Sequence, residues 1–266
     1  MKKAKSKKND SENWLIDFLN EKTELYNSPE FINSDPIQIP HRFTKLQDIE
    51  IAGFLSATIA WGNRISIIRN ADKLMQWMDN SPHDFMLHSK PKDMRIFLKF
   101  VHRTFNGDDC IFFIQSLQRI YKKYHSLEEL FLPAKTLKTE SSLDTLILNF
   151  RTEFFTLHHL PRTQKHVSDP ARGSAAKRIC MFLRWMVRND KKGVDFGLWK
   201  QISPSLLCLP LDIHTGNVSR KLNLLNRNAN DWKAVLEVTK KLKTFDPIDP
   251  IKYDFALFGL GAFEKF

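Results

Sequence analysis

Cysteine is scarce in this sequence. Cys110, Cys180 and Cys208 are odd in number and far apart, which excludes a disulfide framework and matches no zinc-knuckle or iron–sulfur spacing. Long apolar runs are missing too, since no stretch reaches the roughly 20 residues that a membrane-spanning helix needs. Behind the charges of MKKAKSKKND stands no apolar region, the wrong pattern for a signal peptide, so a cytoplasmic protein without membrane association is expected. Sustained polar–apolar alternation, the mark of half-buried strands, occurs nowhere, and no internal repeat is visible. These absences leave an all-α chain. Its 266 residues are expected to divide into a disordered basic tail, 1–11, and one two-lobed helical domain, 12–266.

Positive charge and aromatic rings are what the chain has in excess. The 41 Lys and Arg against 30 Asp and Glu give a net charge of +11, which favours a polyanionic partner, most simply nucleic acid. The plainer alternative is a basic protein with a lysine-rich tail. Six Trp and 21 Phe supply flat surfaces for base stacking or for a core.

Helical periodicity recurs along the chain. Glu12–Tyr26 places Trp14, Leu15, Phe18, Leu19 and Leu25 on one side, and Pro29, Pro36 and Pro40 mark 27–41 as a connection. Asp48 opens a nearly uniform apolar run, Ile49–Ala60, suited to a central buried helix; WGNR at 61–64 breaks it before a second helix, Ile65–Met78. Asp108 or Asp109 is positioned to cap the helix containing IFFIQSLQRIYKKY. A polar linker over 132–142 precedes Leu143–Phe155, and Asn230–Leu242 is amphipathic. Asp249 with Pro250 caps a last helix ending at Gly259 or Gly261. The His83-Asp84 pair and the histidines His158, His159 and His166 have no further ligand at metal spacing, so neither a metal nor a cofactor is expected.

The stretch from Ser174 to Leu222 is the part that reads as chemistry. Ser174 is an N-cap residue ahead of a helix with Ile179, Phe182, Leu183, Met186 and Val187 on its apolar side. The other ridge carries Lys177, Met181, Arg184 and Arg188. Lys177 falls near the helix N-terminus, where free N–H groups and the neighbours Arg178 and Arg184 disfavour an ammonium, as an amine nucleophile requires. Asp212 is the N-cap of a second helix running to Leu222, and the connection over 190–211 is long enough to bring the two helix N-termini together. Taken separately, the pair is a solvated helix lysine and a capping aspartate.

A lysine early in one helix, followed by the aspartate of LPLDIH opening a later one, resembles the catalytic pair of the helix-hairpin-helix DNA glycosylases. The interval from Lys177 to Asp212 is most similar to that of the archaeal 8-oxoguanine glycosylases. KRICMFLRWMVRND, GLW, LPLDIH and FDPIDPIKYDFALFGLGAFE also resemble a bacterial family known only as domain of unknown function 2400, over roughly residues 36–266. The glycosylase resemblance implies a two-lobed all-α fold with a cleft, and base excision from damaged, possibly oxidised, double-stranded DNA by a monomer. Lys177 would attack the sugar C1′ to form a Schiff base, assisted by Asp212. Trp61, Asn63 and Arg64 would line the base pocket. Arg172, Ser174, Arg178, Arg184, Arg188, His214, Arg220 and Lys221 would hold DNA phosphates. Two departures stand out: there is no four-cysteine cluster as in endonuclease III, and SDPARGSAAK has one glycine where those enzymes have a glycine-rich phosphate-binding hairpin. A non-catalytic nucleic-acid-binding protein on the same scaffold is the alternative.

Overall fold

The computed structural model describes the backbone of residues 2–132 and 142–266, with side chains from Glu12 onward. The side chains of the expected tail, 1–11, and residues 133–141 of the expected linker lie outside that description. The chain begins with α1 (Lys2–Tyr26), α2 (Pro29–Ile32), α3 (Leu46–Thr58), α4 (Arg64–Trp77) and α5 (Pro82–His88). A short antiparallel hairpin, β1 (Val101–His102) with β2 (Phe105–Asn106), leads into α6 (Gly107–Tyr121), α7 (Glu128–Phe131) and α8 (Leu143–Phe154). Then follow α9 (Lys177–Val187), α10 (Ile213–Lys221), α11 (Trp232–Phe245) and α12 (Tyr253–Ala262). The fold is thus mostly helical. The one hairpin among the described residues pairs only Val101 with Asn106 and His102 with Phe105, too few residues to leave an alternating pattern.

The centre is the crossing of α3 and α9. α3 offers water no polar face and is buried continuously from Ile49 to Thr58. Gly53 permits the close approach: a Cβ there would lie 3.3 Å from Met186 Cε and 3.4 Å from Phe182 Cε2. Beside it the Phe54 ring meets Phe113, Phe150, Phe154 and Phe182, so these phenylalanines are spent on the core. Glu50 is fully buried in the same helix. It accepts from Tyr121 Oη at 2.9 Å, the Leu127 amide at 3.1 Å, Trp199 Nε1 at 2.7 Å and the Ser126 hydroxyl, which ties α3 to three distant segments. α3 starts three residues earlier than an Asp48 cap predicts. The Asp48 carboxylate accepts instead from the His83 amide at 2.8 Å, so it caps the first turn of α5.

α9 differs most from its sequence pattern. Every residue from Ile179 to Val187 is buried, including Met181 and Arg184 of the ridge that carries the cations. The segment after it folds back, with the Phe196 and Trp199 amides donating to the Trp185 and Met186 carbonyls at 2.8 and 2.9 Å. Arg184 and Arg188 therefore end in a buried ion cluster and not on a phosphate-binding surface. Arg188 donates from Nε to Asp249, from Nη1 to Asp195 at 2.9 Å and from Nη2 to Asp190 at 2.7 Å. Arg184 donates to Asp195 at 3.2 Å and to Asp254. Asp249, expected to cap the last helix, makes no such cap because its carboxylate is committed to Arg188.

α12 also runs on past its expected end, through both glycines. They serve packing here: a Cβ on Gly259 would fall 2.1 Å from the Tyr26 ring of α1, and one on Gly261 would fall 3.0 Å from His214 Cβ of α10. α10 is in this way pressed against α12, and α12 is bound through Asp254 to α9. Asn106, and not Asp108 or Asp109, is the N-cap of α6; Asp109 completes the reciprocal capping box.

Removing Asp195 leaves both guanidiniums short of the carboxylate they share. Asp195→Ala is expected to lower the unfolding free energy by about 3–5 kcal/mol in a urea titration, the cost of uncompensated buried charge. A loss below about 1 kcal/mol would show that water reaches the cluster, as for an exposed pair.

Candidate active site

The start of α9 is set by its neighbours. Ser174 pairs with Asp231 in an isolated bridge and the Trp232 amide donates to the Gly173 carbonyl at 3.0 Å, so this stretch is held extended and a helix cannot begin there. The chain turns at Ala176, in the left-handed region at φ +48°, and α9 starts at Lys177, two residues later than a Ser174 cap predicts. The Ser174 hydroxyl accepts locally, from the Ala176 amide at 3.2 Å. Lys177 is consequently the first residue of the helix.

Asp212 is the N-cap of α10, as its sequence context predicts. Its Oδ1 accepts from the Thr215 amide at 3.0 Å while its own amide donates to Thr215 Oγ1 at 2.9 Å. Oδ2 is left to face the other helix terminus, and Lys177 Nζ lies 3.7 Å from it. The two helix N-termini meet. Behind them Asn230 Nδ2 donates to the Asp212 carbonyl at 3.0 Å.

Lys177 and Asp212 line a cleft of about 460 Å³ whose walls include Phe31, Trp61, Met181 and Phe258. Arg64, Arg178 and Arg184 bring positive charge to it, and Asp35 and Asp254 bring two further carboxyl groups. Arg178 does not point at solvent: its guanidinium lies 4.5 Å from the Trp61 ring centroid and donates to the Thr58 carbonyl and, at 3.0 Å, to that of Lys165. Burial pulls its pKa down to about 10. Trp61 is held from its other sides. Its carbonyl takes a hydrogen bond from His102 Nε2 at 3.1 Å, and its ring lies 5.8 Å from that of His166, nearly parallel. His166 is in turn 3.2 Å from buried Asp109, which Thr163 and Arg162 also bind. Burial outweighs that carboxylate and pushes His166 down to about 4, so the imidazole behind the indole is neutral near pH 7.

Of the other expected pocket residues, Arg64 lines the cleft, with its guanidinium 5.3 Å from the Phe258 ring centroid. Asn63 does not: its side chain caps α4, accepting from the Ser66 amide at 3.1 Å. His214 lines the cleft and is exposed. Arg172 and Lys221 are exposed at the surface. Arg220 is spent inward on the 227–230 loop, donating to the Arg227 and Asn228 carbonyls at 2.9 and 2.8 Å. Arg184 reaches the cleft but is neutralised by Asp195 and Asp254. Among the described residues, no three His, Cys, Asp or Glu side chains are grouped so as to hold a metal ion.

Two cleft residues carry no sequence signal of their own. Asp35 reads as the cap of a proline turn and does accept from the Ile37 amide at 3.0 Å, yet burial also raises its pKa. Asp254 sits in the apolar string YDFALFGLG, where one acidic residue is the only hint. Burial pushes it up to about 6 against the pull of Arg184, with Asp212 raising it further and Lys177 lowering it. The cleft thus joins the Lys177 amine, the Asp212 carboxyl group and Asp254, an acid that titrates close to neutrality, among aromatic side chains.

A family profile described as "Protein of unknown function (DUF2400)" matches residues 35–263. No curated protein and no solved structure matches the chain.

The couplings predict a direction for each variant. The Asp254 carboxyl is expected to titrate near pH 6, to move upward in Lys177→Met and downward in Asp212→Asn, as read from its carboxyl-carbon NMR shift. A midpoint at the ordinary 3.8, unmoved by either change, would take Asp254 out of the cleft's electrostatics.

Proposed function

This chain belongs to the DUF2400 family, a membership that assigns no chemistry; from the cleft we propose that it is a DNA glycosylase with abasic-site lyase activity, acting on a damaged base. The observation that carries this reading is the convergence of the Lys177 amine and the Asp212 carboxylate, 3.7 Å apart, at a cleft with aromatic walls. In this reading a damaged nucleotide leaves the duplex and its base enters between Trp61 and the Phe258 side of the cleft. Asp212 accepts a proton from the lysine ammonium. The free amine attacks C1′, the C1′–N bond breaks, and its electron pair leaves with the base, which takes up a proton. Ring opening then gives an iminium between Lys177 and the sugar, from which strand cleavage proceeds by β-elimination. Asp212 supplies the proton taken up by the departing base, and the carboxylate so regenerated stabilises the positive charge of the iminium. The same reading makes the fold a helix-hairpin-helix glycosylase-like arrangement of two lobes and double-stranded DNA the partner. Phosphate contacts fall to exposed groups such as Arg172, His214 and Lys221, since Arg184, Arg188 and Arg220 are spent inside the protein.

One observation favours the rival reading of a non-catalytic nucleic-acid-binding protein. Asp212 already has a structural task as the cap of α10, and an ion pair to Lys177 ties α9 to α10 without any chemistry.

Borohydride reduction separates the two. With duplexes carrying an abasic site or 8-oxoguanine, the wild-type protein is expected to form a trapped covalent adduct. Lys177→Ala should form none, and Asp212→Asn should slow formation roughly 100-fold or more, the scale for loss of one preorganised charge. No adduct from the wild type, or an undiminished one from a Lys177→Ala protein whose circular dichroism matches wild type, would overturn the assignment.

A further inference from the structure

Between α5 and the hairpin, every third residue is buried and most of the rest is in water. Asp93–Lys99 is a 3-10 helix, whose three residues per turn put Met94 and Phe97 on one line against the core, continued by buried Phe100. Trp77 packs on both rings, at 5.5 and 6.2 Å between centroids. Those side chains account for the packing of the segment, yet MRIFLKFV holds three more aliphatic residues. Ile96 is 39%, Leu98 56% and Val101 64% exposed. Among them stand Lys92, Arg95, Lys99 and Arg103, all exposed, whose side chains make no hydrogen bond or ion pair among the described residues. Asp93 is the one carboxylate of this stretch, and it is used on the Lys90 amide at 2.8 Å.

Leu98 also borders a hollow of about 360 Å³, separate from the cleft, with Ile111, Phe112, His159 and Leu160. Leu160 is 45% exposed, so apolar surface continues across the rim of the hollow. Arg95 precedes Leu98 by one turn of the 3-10 helix and Lys99 follows it, so unpaired cations flank the side chain that reaches the hollow. Asp108 is on the rim too, 4.0 Å from Arg162.

This combination selects among the partners that a cationic face could take. A nucleic-acid strand would find no exposed Trp, Tyr or Phe in the hollow for a base to stack on, since Phe112 is buried. A lipid surface is met by side chains that protrude, and this face is concave. An apolar hollow beside free guanidinium and ammonium groups fits an acidic peptide that carries a bulky apolar side chain, the anchor filling the hollow and the carboxylates pairing with the cations.

We propose that this face binds a partner protein through an acidic peptide segment, with an apolar side chain of that segment seated against Leu98 and Leu160 and its carboxylates on Arg95 and Lys99. The interaction is independent of what the cleft does.

Fluorescence anisotropy tests it with a labelled peptide made of a run of aspartates ending in Leu-Phe. One control peptide has serine for every aspartate, the other glycine for the Leu-Phe end. Wild type is expected to bind the first peptide with a Kd of about 10–100 μM, weakening as salt rises, and each control about 10-fold or more weakly. Arg95→Ala combined with Lys99→Ala should lower the affinity about 10-fold or more, and Leu98→Ser alone by a similar factor. Arg69→Ala, which removes an exposed arginine of α4, should match wild type. All four side chains are exposed, and circular dichroism checks that each variant keeps its fold. No binding by wild type, equal affinity for the serine control, or undiminished binding by the Arg95→Ala/Lys99→Ala protein would overturn the proposal. So would loss in that protein of binding to an oligonucleotide, or to phosphatidylglycerol vesicles, with peptide binding intact. Borohydride trapping is read separately, so neither result decides the glycosylase reading.

Discussion

A helix buried on every side can carry cations only if the rest of the chain brings carboxylates to meet them. The buried part of α9 and its C-cap carry two, Arg184 and Arg188, and the architecture answers that demand with Asp190 and Asp195 from the segment just after the helix and Asp249 and Asp254 from near the end of the chain. Leaving either guanidinium unpaired costs several kcal/mol, comparable with the stability of a whole domain. The cluster therefore dictates where the 190–195 segment turns and where α12 begins. α12 sets α10 in turn through the close approach at Gly261, and α10 carries Asp212. The meeting of Lys177 and Asp212 is thus a consequence of charge compensation some turns away from it.

The cleft itself is held by a second buried network on its opposite side. Trp61 is fixed between Arg178 and His166, and His166 depends on Asp109, which closes the first turn of α6. The aromatic and ionisable groups of the cleft are interleaved, Arg178 against Trp61 and Arg64 against Phe258. Such a lining suits a flat, apolar-faced ligand with a polar edge. Three carboxyl groups amid four cations give the cleft a nearly balanced charge, so the chain's excess of positive charge lies outside it.

Much of the fold was legible because its signals are local. The apolar run from Ile49 to Ala60 can only be a buried helix, and Asp212 is the N-cap that its residue type and context predict. The failures share one cause. Asp48, Asp249 and Ser174 are good caps by type, but each is claimed by a partner distant in sequence: the His83 amide, Arg188, and the strand-like pairing with Asp231. Gly259 and Gly261 read as stops from composition, yet they are where helices touch.

By itself the sequence determined that the chain is helical, that its charge is positive, and that a lysine and an aspartate each stand at the start of a helix. Those properties depend on residue type and on spacings of a few positions, where backbone geometry leaves little choice. Only the tertiary structure decided which arginines face water and which are buried, that Asp35 and Asp254 join the cleft, and that the amine and the carboxylate meet. The physical reason is that burial and charge pairing are set by segments tens to hundreds of residues apart, and no local pattern encodes which of several chemically suitable partners will be nearest once the core has closed.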